Sequence, residues 1–280
     1  MPAAPSHSAA FQGEPGAFSH SAALKLLGPR VRIVPCKSFK DVFEALRSAA
    51  ASYAVVPIEN TLHGSIHENY DHLLKYNFSI SGETSVRISH HLIAMRGVNF
   101  LTIHRIFSHP VAINQCRHFL EAHTHIEPVP FYDTAGSVKM LREKRLPEAA
   151  AIASEGAAKI YGGTILRRNI EDDRQNFTRF FLLSKQPKPV RTANGPWKTT
   201  LVFSTSNIPG ALFKAMACFA LRDLNLTKIE SRPLQGKPWE YLFYVDVIGD
   251  AKEKSVRSAL AQLSETARFV KILGTYRPTP

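Results

Sequence analysis

The chain has 280 residues, of which 44% are hydrophobic and 21% charged, and this composition is typical of a folded protein rather than a disordered one. No stretch approaches the roughly 18 consecutive apolar residues of a membrane helix, and the first ten residues have neither the basic nor the apolar region of a signal peptide. We therefore expect no membrane span and a cytoplasmic location. The net charge of +12 is spread on both sides of Trp197 without a basic run, so it indicates either a small anionic ligand or only solubility, and not a surface for nucleic acid.

The sequence carries no pattern typical of a metal or nucleotide cofactor. Its three cysteines, Cys36, Cys116 and Cys218, are too far apart for a C-x-x-C pair. His63 and His67 stand four residues apart but lack the intervening glutamate of a zinc-binding helix, and neither glycine-rich nucleotide motif occurs. We expect no metal and no cofactor.

A stretch rich in proline divides the chain. Residues 186–197 contain three prolines and a glycine without apolar periodicity, so they are predicted to be a linker. We place a first domain at residues 10–185 and a second at 198–280. Residues 1–9 are small and aperiodic, and they are predicted to be a disordered tail.

In the first domain, short apolar runs alternate with amphipathic segments, a pattern typical of an α/β fold with largely parallel sheets, arranged in two lobes. The predicted strands are 53–58, 88–95, 103–107, 126–132, 149–153 and 177–184. The predicted helices are 39–50, 112–122, 135–145 and 155–161.

In the second domain, the order becomes strand, helix, strand, strand, helix, strand. This β-α-β-β-α-β order predicts a small ferredoxin-like domain. The predicted strands are 199–204, 226–231, 239–248 and 269–276, and the predicted helices are 210–222 and 253–266.

Polar residues follow the strands of the first domain at the edge where α/β sheets bind ligands. Glu59 and Asn60 follow an apolar run that ends at Pro57. A partly desolvated carboxyl at Glu59 would have a raised pKa and act as a proton donor, or it would only bind the next loop. Ser108 and Thr134 stand at two predicted helix starts, where they either cap the helix or help to hold an anion.

The last predicted strand of the first domain carries an arginine among aromatic residues. Its alternation places Thr178 and Phe180 on one face and Arg179 on the other. A buried arginine needs a negative partner, so either an anionic ligand or a buried carboxylate is expected beside Arg179.

Six segments, taken together in their order and spacing, resemble prephenate dehydratase with a C-terminal ACT regulatory domain, and plant arogenate dehydratases are similar. The segments are FQGEPGAFS from Phe11, VVPIENTLHGSIHENYD from Val55, FSHPVAINQC from Phe107, YDTAGS from Tyr132, QNFTRFFLL from Gln175 and PGALFKAMACFALRDLNLTKIESRP from Pro209. The resemblance implies a catalytic domain of two lobes, similar to periplasmic binding proteins. One departure is Val111, where many members carry glutamine.

The resemblance implies a reaction without a cofactor: prephenate loses water and carbon dioxide to give phenylpyruvate for phenylalanine synthesis. The alternative is arogenate, which would give phenylalanine directly, and the residues do not separate the two. The resemblance points to Thr178 as catalytic, and either Thr178 or Glu59 is expected to donate to the leaving hydroxyl. The expected substrate-binding residues are Asn60, Ser108, Gln115, Thr134, Arg179 and Phe180.

The resemblance also implies phenylalanine sensing by the second domain. The expected effector-binding residues are Gly210, Ala211, Leu212, Glu230, Ser231, Arg232 and Pro233. ACT domains usually pair side by side, so a homodimer or homotetramer is expected, with feedback by phenylalanine as coupling between the two domains.

Overall fold

A computed structural model describes residues 7–187, 190, 194–234, 236–237 and 239–279. The chain forms two compact units, the first made of Met1–His72 and Thr84–Phe180 and the second of Leu73–Glu83 and Phe181–Pro280. Residues 188, 189 and 191–193 of the predicted linker lie outside the described residues. The linker and the domain bounds drawn from it stay predictions.

The described residues form strands and helices in the following order. The strands are β1 (Ser8–Gln12), β2 (Arg32–Cys36), β3 (Tyr53–Asn60), β4 (Gly64–Ser65), β5 (Ser79–Arg87), β6 (His91–Met95), β7 (Arg105–Ser108), β8 (Glu127–Pro130), β9 (Ala149–Ala153), β10 (Gly163–Arg167), β11 (Phe177–Ser184), β12 (Lys198–Ser204), β13 (Leu226–Pro233), β14 (Tyr241–Ile248), β15 (Phe269–Tyr276) and β16 (Pro278–Thr279). The helices are α1 (Phe18–Leu27), α2 (Phe39–Arg47), α3 (His67–Tyr76), α4 (Pro110–Asn114), α5 (Arg117–Glu121), α6 (Thr134–Lys144), α7 (Glu155–Tyr161), α8 (Ala211–Ala220) and α9 (Lys254–Thr266), with a short 3₁₀ turn at Phe100–Thr102.

Two sheets organise the first unit. The first sheet contains β3, β1 and β2 side by side, with β4 paired to β3, and β1 runs parallel to β2 and β3. The second sheet has the order β10-β6-β9-β7-β8, in which β7 is parallel to both neighbours and β6 is antiparallel to both. The predicted α/β class with two lobes is confirmed.

The predicted tail at residues 1–9 is too long. Residues 1–6 lie outside the described residues, but Ser8 and Ala9 belong to β1, where Ala9, Ala10 and Phe11 are fully buried. β1 pairs with β2 and β3, so its backbone is hydrogen-bonded on both sides. A short strand of small residues has little apolar pattern, and burial on both faces is what makes such a strand stable.

Local sequence explains where the helices near the cavity begin. Asp133 caps α6 by accepting a hydrogen bond from the Gly136 N–H at 2.6 Å, and Ser154 caps α7 through the Ala157 N–H at 3.1 Å. The predicted helix 112–122 is instead two short helices, α4 and α5. Cys116, between them, leaves helical geometry with ψ at 33°.

The second unit contains the predicted β-α-β-β-α-β arrangement, formed by β12, α8, β13, β14, α9 and β15. Its four-stranded sheet has the order β13-β14-β12-β15. One face of the sheet packs against the two helices through fully buried side chains, among them Leu201, Phe203, Phe219, Val245 and Leu263. The predicted ferredoxin-like fold is confirmed.

A buried chain of polar side chains also stabilises the second unit. The Thr200 hydroxyl donates to Asp246 at 2.6 Å and lies 2.7 Å from the Tyr276 hydroxyl. Tyr276 donates to Glu83 at 3.1 Å, and Glu83 is paired with Lys198. These contacts give the buried Thr200, Tyr276 and Glu83 side chains polar partners.

Candidate active site

The predicted site residues of the first unit surround one cavity of about 330 Å³. This volume suits a small organic molecule. Five of the eight predicted residues line the cavity: Asn60, Gln115, Thr134, Thr178 and Phe180. Glu59, Ser108 and Arg179 are not among its lining residues.

Thr178 lies at the cavity with its hydroxyl held by Asn60. The Asn60 Nδ2 group donates to Thr178 Oγ1 at 2.9 Å and also lies 2.8 Å from Asn176 Oδ1 and 3.1 Å from the Phe177 carbonyl. Because the Thr178 oxygen accepts from Asn60, its own hydrogen is left for another acceptor. Among the described residues, no side chain or carbonyl accepts that hydrogen, so a ligand in the cavity is its natural acceptor.

The Asn60 amide is oriented by its other end. Asn60 Oδ1 accepts from the backbone N–H groups of Leu62 and His63 at 3.0 and 3.1 Å. These bonds identify the oxygen of the amide, so Nδ2 must face Thr178. The turn after β3 therefore fixes which way the Thr178 hydroxyl donates.

Glu59 and Arg179 pair with each other instead of lining the cavity. Arg179 Nη1 lies 3.8 Å from Glu59 Oε2, and the Glu59 side chain is 38% exposed. β3 continues through Asn60, so Glu59 and Asn60 point to opposite sides of the strand, as Arg179 and Thr178 do in β11. Glu59 was expected at the cavity as a proton donor and Arg179 as a partner of the substrate carboxylates, but neither is a lining residue. Arg179 instead pairs with a protein carboxylate, which was one of the two alternatives for it.

Ser108 is also turned away from the cavity. It is fully buried, and its hydroxyl donates to the Ile152 carbonyl of the neighbouring strand β9 at 2.6 Å. The start of α4 is capped instead by His109, whose Nδ1 accepts from the Val111 N–H at 3.2 Å. His109 and Val111 line the cavity, whereas Ser108 joins two strands.

The loop from β1 to α1 lines the cavity without having been assigned a role from the sequence. Phe18 and Ser19, in the first turn of α1, are lining residues, and Ala17 provides no side-chain cap for the free N–H groups there. Unsatisfied N–H groups at a helix start favour an anion. The loop requires two glycines: a Cβ on Gly13 would lie 2.8 Å from Asp133 Oδ2, and one on Gly16 would lie 2.6 Å from Ala157 Cα.

Asp133, not Glu59, is the desolvated carboxyl at the cavity. Burial raises the pKa of Asp133, while its hydrogen bond from the Gly136 N–H opposes that shift. Burial, together with the nearby Glu14 carboxylate, also raises the pKa of Tyr132 to about 12. The sequence pattern does not single out Asp133, because its burial and its distance from Glu14 depend on the fold.

No lysine or arginine is found among the described residues that line the cavity. The polar groups at the cavity are amides, hydroxyls, histidine rings, the Asp133 carboxyl and the backbone at the starts of α1 and α6. In the described part of the chain, no group of three or more His, Cys, Asp or Glu side chains could hold a metal ion. No helix within the same residues is long and apolar enough to cross a membrane.

The predicted effector residues lie on two elements of the second unit. Gly210, with φ at 77°, is the N-cap of α8, and Ala211 and Leu212 form its first turn. The stretch from Glu230 to Pro233 ends β13, an edge strand of the four-stranded sheet. Glu230 lies 3.8 Å from Lys228.

Comparison with known proteins decides the family. A family model described as prephenate dehydratase matches residues 9–188. The chain belongs to the prephenate dehydratase family. The protein named arogenate dehydratase/prephenate dehydratase 2, chloroplastic, of Arabidopsis thaliana is 45% identical over 276 residues, which cover 95% of this chain and 72% of the relative. The chain is therefore a dehydratase, a lyase.

Two solved structures share the whole architecture. Prephenate dehydratase from Arthrobacter aurescens in complex with L-Phe has a TM-score of 0.86 at 33% identity, covering 96% of this chain and 89% of that one. A structure described as GqqA, a novel type of quorum quenching acylases, has a TM-score of 0.88 at 35% identity and covers 98% of both chains.

The predicted cytoplasmic location is wrong. Several Arabidopsis relatives carry the word chloroplastic in their names, which points to a plastid. The prediction used the composition of the first residues, but targeting segments are separate from the folded enzyme. The start of the sequence therefore does not decide the compartment.

Proposed function

We propose that this chain catalyses the decarboxylating dehydration of prephenate to phenylpyruvate in phenylalanine biosynthesis. The observation that carries the proposal is the Thr178 hydroxyl, which lies at the cavity with its oxygen occupied by the Asn60 amide and its hydrogen available. This is the arrangement expected of a group that donates to a leaving hydroxyl. The family and the named activities of its relatives support the same reaction.

The chemistry needs little beyond a placed donor. The C–O bond at the ring hydroxyl breaks, and the oxygen takes a proton to leave as water. The ring carboxylate leaves as carbon dioxide, and its electron pair enters the ring, which becomes aromatic. Thr178 donates to the leaving oxygen, and Asp133, a carboxyl that lines the cavity, is proposed as a second donor beside it.

The two substrate carboxylates bind to neutral donors in this account. The starts of α1 and α6 supply backbone N–H groups, and Gln115 and Thr134 supply side-chain donors. Helix starts favour negative charge, and a site without lysine or arginine among the described lining residues leaves the anion partly desolvated. Partial desolvation favours loss of carbon dioxide because the charge leaves the carboxylate in the transition state.

An acylase, the activity named for one solved relative, is the alternative enzyme class. An acyl transfer by Thr178 would require a base to take its proton. Within the described residues, the side-chain hydrogen-bond partner of Thr178 Oγ1 is the Asn60 amide, which donates to it and is no base. The geometry therefore favours dehydration.

The test is to incubate the purified chain with prephenate and with arogenate, and to measure phenylpyruvate and phenylalanine separately. The proposal predicts turnover of prephenate, and faster turnover of arogenate would make the chain an arogenate dehydratase. Hydrolysis of an N-acyl amide without turnover of either substrate would reject dehydration in favour of the acylase.

We also propose that phenylalanine binds the second unit and inhibits the enzyme at Gly210–Leu212 and Glu230–Pro233. The solved Arthrobacter relative is a complex with L-Phe. The exposed edge strand β13 and the exposed side chains of Ile208, Phe213 and Ile229 favour pairing of two chains in a homodimer or homotetramer.

The effector proposal is tested with Ser231→Ala. The exposed Ser231 side chain is removed at little cost to folding, so activity without phenylalanine should persist while the inhibitory concentration of phenylalanine rises about tenfold, the loss expected for one hydrogen bond. Unchanged inhibition would contradict this site. Light scattering would give the oligomer, and a monomer would contradict the proposed pairing.

A further inference from the structure

A buried histidine lies beside the cavity outside the roles given above. His90 is 2% exposed and is a lining residue of the cavity. Its ring packs edge-on against Phe18, with the two ring centres 5.6 Å apart. Its Nε2 lies 2.8 Å from Gln115 Oε1.

The backbone N–H of His90 is bound by Glu171, which also forms an ion pair with Arg87. Glu171 accepts from the His90 N–H through Oε2 at 2.9 Å and from Arg87 through Oε1 at 2.8 Å. The Glu171 side chain is almost fully buried. The ring contact with Phe18 and the backbone hydrogen bond to Glu171 therefore fix the position of the His90 ring beside Gln115.

The protonation of the ring follows from its surroundings. Burial lowers the pKa of His90, with His91 acting in the same direction, whereas Gln115 and Glu171 oppose the shift. A neutral imidazole has one N–H, and the contact with Gln115 Oε1 places it on Nε2. Nδ1 is then a lone pair, which agrees with its lack of a hydrogen-bond partner.

We propose that His90 is a positioning residue: its Nε2–H holds the Gln115 carboxamide so that the NH₂ group faces the cavity and donates to an oxygen of the bound substrate. Within the part of the chain that the structure describes, the Gln115 NH₂ group makes one long side-chain contact of 3.4 Å, between its Nε2 and His63 Nδ1. Without His90, the amide can turn and present its oxygen to the anion. This inference rests on the proposed function, because it takes the ligand to be an anion.

The matched variants are His90→Phe, which keeps the ring against Phe18 but removes the donor, and His90→Gln, which returns an N–H near the position of Nε2. His90→Phe should raise the KM for the substrate about ten- to a hundredfold with a smaller change in kcat, because an amide out of place weakens substrate binding. His90→Gln should recover most of the loss. In a Gln115→Ala background, His90→Phe should cause no further loss.

An unchanged KM, or losses that add in the double variant, would overturn the proposal. The ¹⁵N shifts of the His90 ring in the wild-type chain without substrate give a second readout that does not depend on activity. A neutral ring with hydrogen on Nε2 supports the positioning role, and hydrogen on Nδ1 or a charged ring at neutral pH overturns it. A wild-type chain inactive on both substrates would reject the proposed function, while the ring spectrum would still decide the hydrogen bond.

Discussion

Asn60→Asp is a sharp test of how the Thr178 hydroxyl is oriented, because it changes one NH₂ group to oxygen at nearly constant volume. The Asn60 oxygen keeps its bonds from the Leu62 and His63 N–H groups. The new oxygen would face Thr178 Oγ1 at about the present 2.9 Å, where it can only accept. Thr178 would then donate to the carboxylate instead of to the substrate.

The expected loss in kcat is that of one hydrogen-bond donor to the substrate. Withdrawal of one placed donor from a developing charge costs roughly 10²- to 10³-fold in kcat. The new carboxylate would also face Asn176 Oδ1 and the Phe177 carbonyl, at 2.8 and 3.1 Å from the present nitrogen. Two hydrogen bonds that become repulsive should lower the free energy of unfolding by about 1–3 kcal/mol.

The assay is kcat for the preferred substrate across pH, with Asn99→Asp as the matched control. Asn99 uses its side-chain oxygen to accept from the Leu101 N–H, a role that aspartate keeps, so the control adds the same charge without changing a donor. Activity of Asn60→Asp relative to wild type should rise as pH falls, because a protonated carboxyl can again donate to Thr178. A variant with near wild-type kcat, or a constant ratio across pH, would refute the reasoning.

Two further predictions concern other parts of the chain. Tyr276→Phe removes the buried hydroxyl between Glu83 and Thr200, so urea denaturation should show a loss of about 1–3 kcal/mol, and a loss under about 0.5 kcal/mol would contradict the buried polar chain. Glu59→Gln removes the charge that pairs with Arg179 while keeping the shape of the side chain, so kcat should fall less than about tenfold; a fall like that of a lost proton donor would show that Glu59 donates the proton.

The side-chain alternation of β11 could be predicted from the sequence, because a strand has a period of two residues. Thr178 and Phe180 share the cavity face as predicted, and Arg179 lies on the other. Glu59 was expected at the cavity because β3 was predicted to end at residue 58, directly before it. The strand continues to Asn60 through pairing with β4, a contact that the apolar pattern does not contain.

Buried polar residues account for one part of what the sequence could not predict. β5 was missed because Ser81, Glu83 and Thr84 are polar, yet all three are buried. Their burial depends on partners distant in sequence, such as Tyr276 for Glu83. His90 was missed for the same reason, since its role depends on meeting Gln115 in the fold.

The measurement that tests the central claim most directly is kcat of Thr178→Val beside Thr178→Ser. Valine keeps the shape of the side chain but has no hydroxyl, and Asn60 Nδ2 keeps two other acceptors, so the fold should persist. We predict that Thr178→Val loses roughly 10²- to 10³-fold in kcat while Thr178→Ser stays within about tenfold of wild type. Near wild-type turnover by a folded Thr178→Val would contradict the account.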